Sequence, residues 1–273
     1  MIHLREVALL PSSPGQTEAE RYPFVVPAVA ALGAAPLRFE APVTFLVGEN
    51  GSGKSAILEG VACAVGSVAI AGDDPRHDPT LAAARALGER LRLTWGTRTR
   101  RGFFLRAEDF FGFAKYISAL RAGLEQDLAV LEAETGPESY GRRLARGAFL
   151  REIGLLRQTD MALNETSHGE SFLGLFQRRF TPRGLYLLDE PEAPLSPVRQ
   201  LAMLALLQEM TGEGESQFVI ATHSPLLMAF PGAVIYSLDG GAPRRVAWED
   251  LEHVALTRDF LNDPGAFLRR LDG

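Results

Sequence analysis

Residues 43–55 read Val43-Thr44-Phe45-Leu46-Val47-Gly48-Glu49-Asn50-Gly51-Ser52-Gly53-Lys54-Ser55, an apolar run that ends in the pattern G-x-x-x-x-G-K-[ST]. The run predicts a buried strand, and Ala56-Ile57-Leu58-Glu59-Gly60-Val61-Ala62 continues with helical spacing, so the glycines fall at a strand-to-helix turn. Glycine at 48, 51 and 53 lets the backbone curl until successive N–H groups converge on phosphate oxygens, and the helix adds its positive end. In that frame Glu49, Asn50, Gly51, Ser52, Gly53, Lys54, Ser55 and Ala56 form the nucleotide-binding loop. Lys54 reaches the β- and γ-phosphates, and the Ser55 hydroxyl ligates Mg²⁺. The implied ligand is a nucleoside triphosphate.

Outward from this loop, composition sets bounds. A chain of 273 residues, 46% hydrophobic, has material for one large α/β domain or for a core with an inserted subdomain. Its longest apolar stretch, Val25 to Leu37, is broken by Pro27, Gly33 and Pro36 and is too short to span a bilayer. Met1 to Glu6 lacks the basic and apolar parts of a secretory leader, so a cytoplasmic protein is expected, with no direct membrane insertion. Cys63 is the only cysteine, which leaves neither a disulfide nor a cysteine metal site and suits helix packing. A net charge of −6 argues against a surface that coats nucleic acid, while leaving room for a local basic groove.

Strand character is expected at Leu4–Leu10, Leu37–Phe39, Leu91–Trp95 and Gly102–Arg106, with 96–100 turning the last two into a hairpin. From Asp109 the period becomes helical, with Ile117, Leu120, Leu124, Leu128 and Leu131 three or four apart. Gly184–Leu188, a helix over Val198–Thr211 and Gln217–Ala221 then form a βαβ unit of a parallel sheet. The expected division is an N-terminal part of the core over 1–108, a helical subdomain over 109–183 and a C-terminal part of the core over 184–273.

Leu185-Tyr186-Leu187-Leu188-Asp189-Glu190 is a second apolar run, and it ends in two carboxylates, the Walker B arrangement. A buried strand delivers both acids to its C-terminal edge, where parallel sheets bind ligands. Asp189 holds Mg²⁺, directly or through water, and Glu190 orients and deprotonates the attacking water. Ser167-x-x-Glu170 also fits a capping box at a helix start, and His223 before Ser224-Pro225 also fits a core histidine.

Taken together the chain resembles ABC-type ATPases from end to end. Ser167-His168-Gly169-Glu170-Ser171 is similar to the signature motif, Glu190-Pro191-Glu192 with Ala193-Pro194-Leu195-Ser196 to the D-loop region, and Ala221-Thr222-His223-Ser224 to the switch-histidine strand. Their order and spacings, 113 positions from Lys54 to Ser167, 22 to Asp189 and 34 to His223, fit that family. The resemblance implies a P-loop α/β core with a mainly parallel sheet, an antiparallel β subdomain and an inserted helical subdomain. It implies ATP and Mg²⁺ as cofactors, catalytic roles for Lys54, Glu190 and His223, and an ATP-dependent homodimer. Ser167, His168, Gly169 and Glu170 would act in trans on nucleotide held by the partner's phosphate loop.

The sequence departs from the family in two places. The signature lacks its usual glycine pair, and the glutamine expected after Gly102–Arg106 is missing, leaving Glu108 as the substitute metal contact and Arg106 as the weaker one. Tyr22 or Phe24 could stack on adenine, with core packing the favoured reading of either. The compact design and the D-E-P-E stretch look closer to stand-alone ATPases of the SMC and RecF branch than to a transporter subunit. The leading expectation is an ATPase that switches an unidentified protein partner or a DNA repair or defence transaction. DNA contact would use Arg98, Arg100 and Arg101 or Arg142, Arg143 and Arg146. The alternatives are the ATP-binding subunit of a membrane transporter and a slow nucleotide-dependent binding switch.

Overall fold

The computed structural model describes residues 1–11, 21–67, 81–106, 121–133, 143, 146–154, 174, 176, 179–213 and 215–271. Its centre is a six-stranded sheet. The phosphate-loop strand β3 (Val43–Val47) lies between β7 (Gln217–Ala221) and β8 (Val234–Ser237), both parallel to it. Outside β7 come β6 (Leu185–Asp189) and then β5 (Phe104–Arg106), again parallel, and β9 (Arg244–Val246) closes the other edge antiparallel to β8.

The strands read as unbroken apolar runs because both faces of the sheet are covered. Side chains alternate between two cores. Phe45, Tyr186, Leu188, Phe218 and Ile220 enter one core with Met203, Leu207 and Leu227. Leu46, Leu185, Leu187, Val219 and Ala221 enter the other with Ile57, Leu58 and Val61 of α2 (Lys54–Val65). Two further helices precede the second half of the core, α1 (Pro27–Ala31) and α3 (Ala82–Arg90), and 121–133 and 146–154 are helical. α4 (Pro197–Gly212) connects β6 to β7, α5 (Pro225–Met228) leads to β8, and α6 (Glu252–Asn262) and α7 (Pro264–Leu271) follow β9.

A smaller antiparallel sheet has the order β2-β1-β4, with β1 at Leu4–Leu9, β2 at Leu37–Arg38 and β4 at Leu91–Trp95. The fully buried Gln217 ties it to the large sheet. Its Oε1 accepts from the His3 and Leu4 N–H groups, both at 2.8 Å, and its Nε2 donates to the Leu4 carbonyl at 2.9 Å. A buried amide with its partners in place is a specific joint rather than a liability.

The expected hairpin between 91–95 and 102–106 is not formed: β4 pairs with β1 in the small sheet, and β5 pairs with β6 in the large one. The 96–103 connector crosses between sheets and continues the ladder, with Leu185 N–H donating to Arg101 O and Leu187 N–H to Phe103 O. Gly102 makes the crossing at φ +120°, where a Cβ would lie 1.8 Å from the Leu185 carbonyl oxygen, so no larger residue fits without moving the backbone. Burial separates the strands too, since β4 is half-buried in alternation whereas Phe104 and Leu105 are fully buried.

Candidate functional site

Three strand ends meet at one edge of the large sheet. Because β7 lies between β3 and β6, the turn carrying His223 emerges between the phosphate loop and the Walker B carboxylates.

The phosphate loop hands over to α2 at Gly53, the N-cap, which has φ +105° and offers no side-chain cap. The first N–H groups of α2 are thereby left for an anion, which the helix dipole favours. Lys54 is buried at the first helical position, and its Nζ donates to the carbonyls of Gly48 at 2.7 Å and Glu49 at 3.1 Å. Burial lowers its pKa, while Glu190, Asp189, Asp239 and Glu49 act in the opposite sense.

Asp189, the last residue of β6, is 7% exposed. Burial is the main cause that pushes its pKa up to about 7, with the Ser55 hydroxyl hydrogen bond opposing and the Glu190 and Glu59 charges adding to the rise. Its Oδ1 is buried with no hydrogen-bond partner among the described residues. A hydroxyl and a carboxylate with an orphaned oxygen are hard donors suited to Mg²⁺, which binds through one or two protein groups and takes the remainder from phosphate and water. No cluster of three His, Cys, Asp or Glu side chains competes for a cation among the described residues.

Glu190 follows in a left-handed conformation, φ +46°, rare for a residue with a long side chain. Its N–H donates to Ala221 O at 2.9 Å, and its carbonyl accepts from Ala193 N–H at 3.1 Å. These bonds hold the turn that lifts the carboxylate out of the sheet, so Oε1 stands 3.8 Å from His223 Nε2. Strain of this kind persists only where surrounding structure enforces it, and it gathers at functional sites. His223 is not a satisfied core histidine: its side chain is 40% exposed, and its Nε2 lacks a hydrogen-bond partner among the described residues. Its backbone is held instead, because its N–H donates to Glu192 Oε1 at 2.8 Å.

Of the remaining sequence expectations, Ser167, His168, Gly169, Glu170, Glu108 and Arg142 lie outside the described residues. Phe24 is buried in the core beside Leu32 and is not a stacking platform, whereas Tyr22 is largely exposed. Arg106 ends β5 in register with Asp189 but pairs with Glu59 at 3.4 Å, and as a cation it cannot ligate metal. Arg98, Arg100 and Arg101 line a cleft with Gly66 and Leu185, at the opposite end of β6 from Asp189. Arg146 forms an ion pair with Glu132 at 2.8 Å.

Two contributors were missed by sequence reasoning. Asp239 Oδ1 accepts from the Glu49 N–H at 2.8 Å and so clips the phosphate loop from beyond β8. Glu192 fixes the switch turn from within a stretch recognised only as a loop. The Asp239-Gly240-Gly241 breaker after an apolar strand was the available signal for the first.

Fold and site together form a phosphate-loop α/β core with Lys54, Asp189, Glu190 and His223 gathered where its parallel strands end. The chain is similar to several known proteins. Residues 171–229 match a family described as "AAA domain, putative AbiEii toxin, Type IV TA system". The lipoprotein-releasing system ATP-binding protein LolD of Hahella chejuensis is 27% identical, over 74% of this chain and 81% of the relative. The phosphonates import ATP-binding protein PhnC 2 of Haloquadratum walsbyi is 24% identical, over 78% and 71%. A solved ATP-binding cassette of an ABC transporter in its ADP conformation aligns over 97% of this chain and 96% of its own, with 15% identity and a TM-score of 0.45.

Proposed function

We propose that this chain hydrolyses ATP with Mg²⁺ at composite sites of an ATP-dependent homodimer and uses closure of that dimer to drive a separate partner. The observation that carries the reading is the strained Glu190 carboxylate beside His223, on the same sheet edge as Lys54, Ser55 and Asp189. Lys54 binds the β- and γ-phosphates, and Ser55 and Asp189 hold the cation. A Mg²⁺ ion held by Ser55 and Asp189 would supply neutralisation of the triphosphate charge. Glu190 takes the proton of a water as its oxygen attacks the γ-phosphorus and the bond to the β-phosphate oxygen breaks. His223 holds the terminal phosphate and that water, and the 167–170 segment of the second subunit covers the nucleotide.

The names of the relatives favour a membrane permease as the partner, which makes the chain the ATP-binding subunit of a transporter. No described helix is long and apolar enough to cross a membrane. A second reading, a switch acting on a protein or on DNA, is favoured by Arg106 at the strand end where transporters carry a glutamine, and by the different family description over 171–229.

Sedimentation velocity of the Glu190→Gln protein with and without Mg²⁺ and ATP tests the core of the proposal. A monomer that becomes a dimer only with ATP is expected, and a monomer that binds ATP without associating would overturn the composite site. Co-purification with an integral membrane protein separates the transporter reading from the switch. Duplex-DNA binding with a steep salt dependence favours the DNA form of the switch.

A further inference from the structure

His253 stands in the first turn of α6, a long way in sequence from every motif above. That turn is fastened to the switch region. Trp248 Nε1–H donates to the Pro225 carbonyl at 2.9 Å, where α5 leaves the switch strand, and Leu251 and Val254 are buried in the core that holds Leu227 and Ile235. The packing brings His253 into electrostatic range of His223, Lys54, Asp239 and Glu49, that is, of the switch, the phosphate-loop lysine, the loop clip and the loop itself. Its Nε2 is buried with no hydrogen-bond partner among the described residues, as is the Nε2 of His223. His3 shares this trait but sits in the joint of the two sheets, whereas His253 and His223 share it beside the phosphate loop.

We propose that His253 is a second histidine of the nucleotide site, whose imidazole donates to the terminal phosphate of bound ATP from the side of α6. This rests on the ATP-site reading above. Two of the neighbours that define its position, His223 and Lys54, are the groups assigned above to the terminal phosphate. Burial is the largest cause lowering its pKa, and the His223 and Lys54 charges act in the same sense. A neutral imidazole keeps one N–H to give to a phosphate oxygen.

Calorimetric titration of His253→Ala, His253→Gln and Lys54→Ala with Mg²⁺ and either ADP or a non-hydrolysable ATP analogue tests this. His253→Ala should weaken the analogue roughly tenfold and change ADP by less than about twofold, as expected for loss of one hydrogen bond to a charged group. His253→Gln, which retains an N–H donor, should recover part of the difference. Equal losses for ADP and analogue, or no loss where Lys54→Ala abolishes binding, would overturn the proposal. Undiminished binding by Lys54→Ala would instead remove the nucleotide-site reading and this one with it. If the alanine variant does not fold, imidazole ¹⁵N spectra of the unsubstituted protein read the same contact. The His253 signals should move with the analogue and not with ADP, and signals unmoved by both would sink the assignment.

Discussion

Glu190 holds a backbone conformation that a glycine would adopt more easily, yet the position carries a carboxylate 3.8 Å from the His223 ring. Replacing it with glutamine keeps the shape and removes the proton acceptor. Turnover by Glu190→Gln should fall by about 10²- to 10⁴-fold with ATP affinity retained, measured by phosphate release and by nucleotide titration. Its neighbour Asp189 sets a pH dependence. The folded carboxyl titrates near 7 against an ordinary 3.8, so the nucleotide-free fold binds an extra proton between those values. The stabilising contribution of this group is therefore present at acid pH and is lost as pH rises through 7. Mg²⁺ must displace that proton, so its affinity should drop about tenfold per unit as pH is lowered below 7, and Asp189→Asn should flatten the profile while weakening Mg²⁺. That Lys54, Ser55, Asp189, Glu190 and His223 fall at strand ends was legible in the sequence because each set is contiguous and its spacing encodes local geometry. Asp239, Glu192 and His253 were not, since each is a single side chain that only tertiary packing brings to the edge.

Elements follow the same division. The strands at 43–47, 185–189 and 217–221 were readable because burial on both faces writes them as apolar runs. The partner of 91–95 was not, because a glycine-containing connector between two short strands reads as a hairpin whether or not the strands share a sheet. Gly102 is the physical mark of the difference. Gly102→Ala sets a methyl against the Leu185 backbone at a positive φ, and a loss of about 3 kcal/mol or more is expected in denaturant unfolding. Gln217→Ala removes three hydrogen bonds and leaves the His3 and Leu4 N–H groups and the Leu4 carbonyl without that partner. The expected destabilisation is about 2–4 kcal/mol, with faster amide exchange in 3–9 than in 43–47 as the sign that the small sheet detaches first.

Across the whole molecule the two edges of the large sheet are chemically distinct. Nucleotide chemistry gathers where β3, β6 and β7 end, and the Arg98, Arg100 and Arg101 cleft lies at the start of β6, roughly 17 Å away for a five-residue strand. Replacing the three arginines with alanine should leave ATP turnover within about twofold and remove any salt-sensitive DNA binding, which separates the engine from a cargo surface in one variant. The strand β7 joins these two worlds. At one end it carries Gln217, clamped to β1, and just past the other it carries His223. One strand thus moors the small sheet to the histidine turn, and because β3 is laced to it along its length, a displacement at the Gln217 joint would reach the phosphate loop and the His223 turn together.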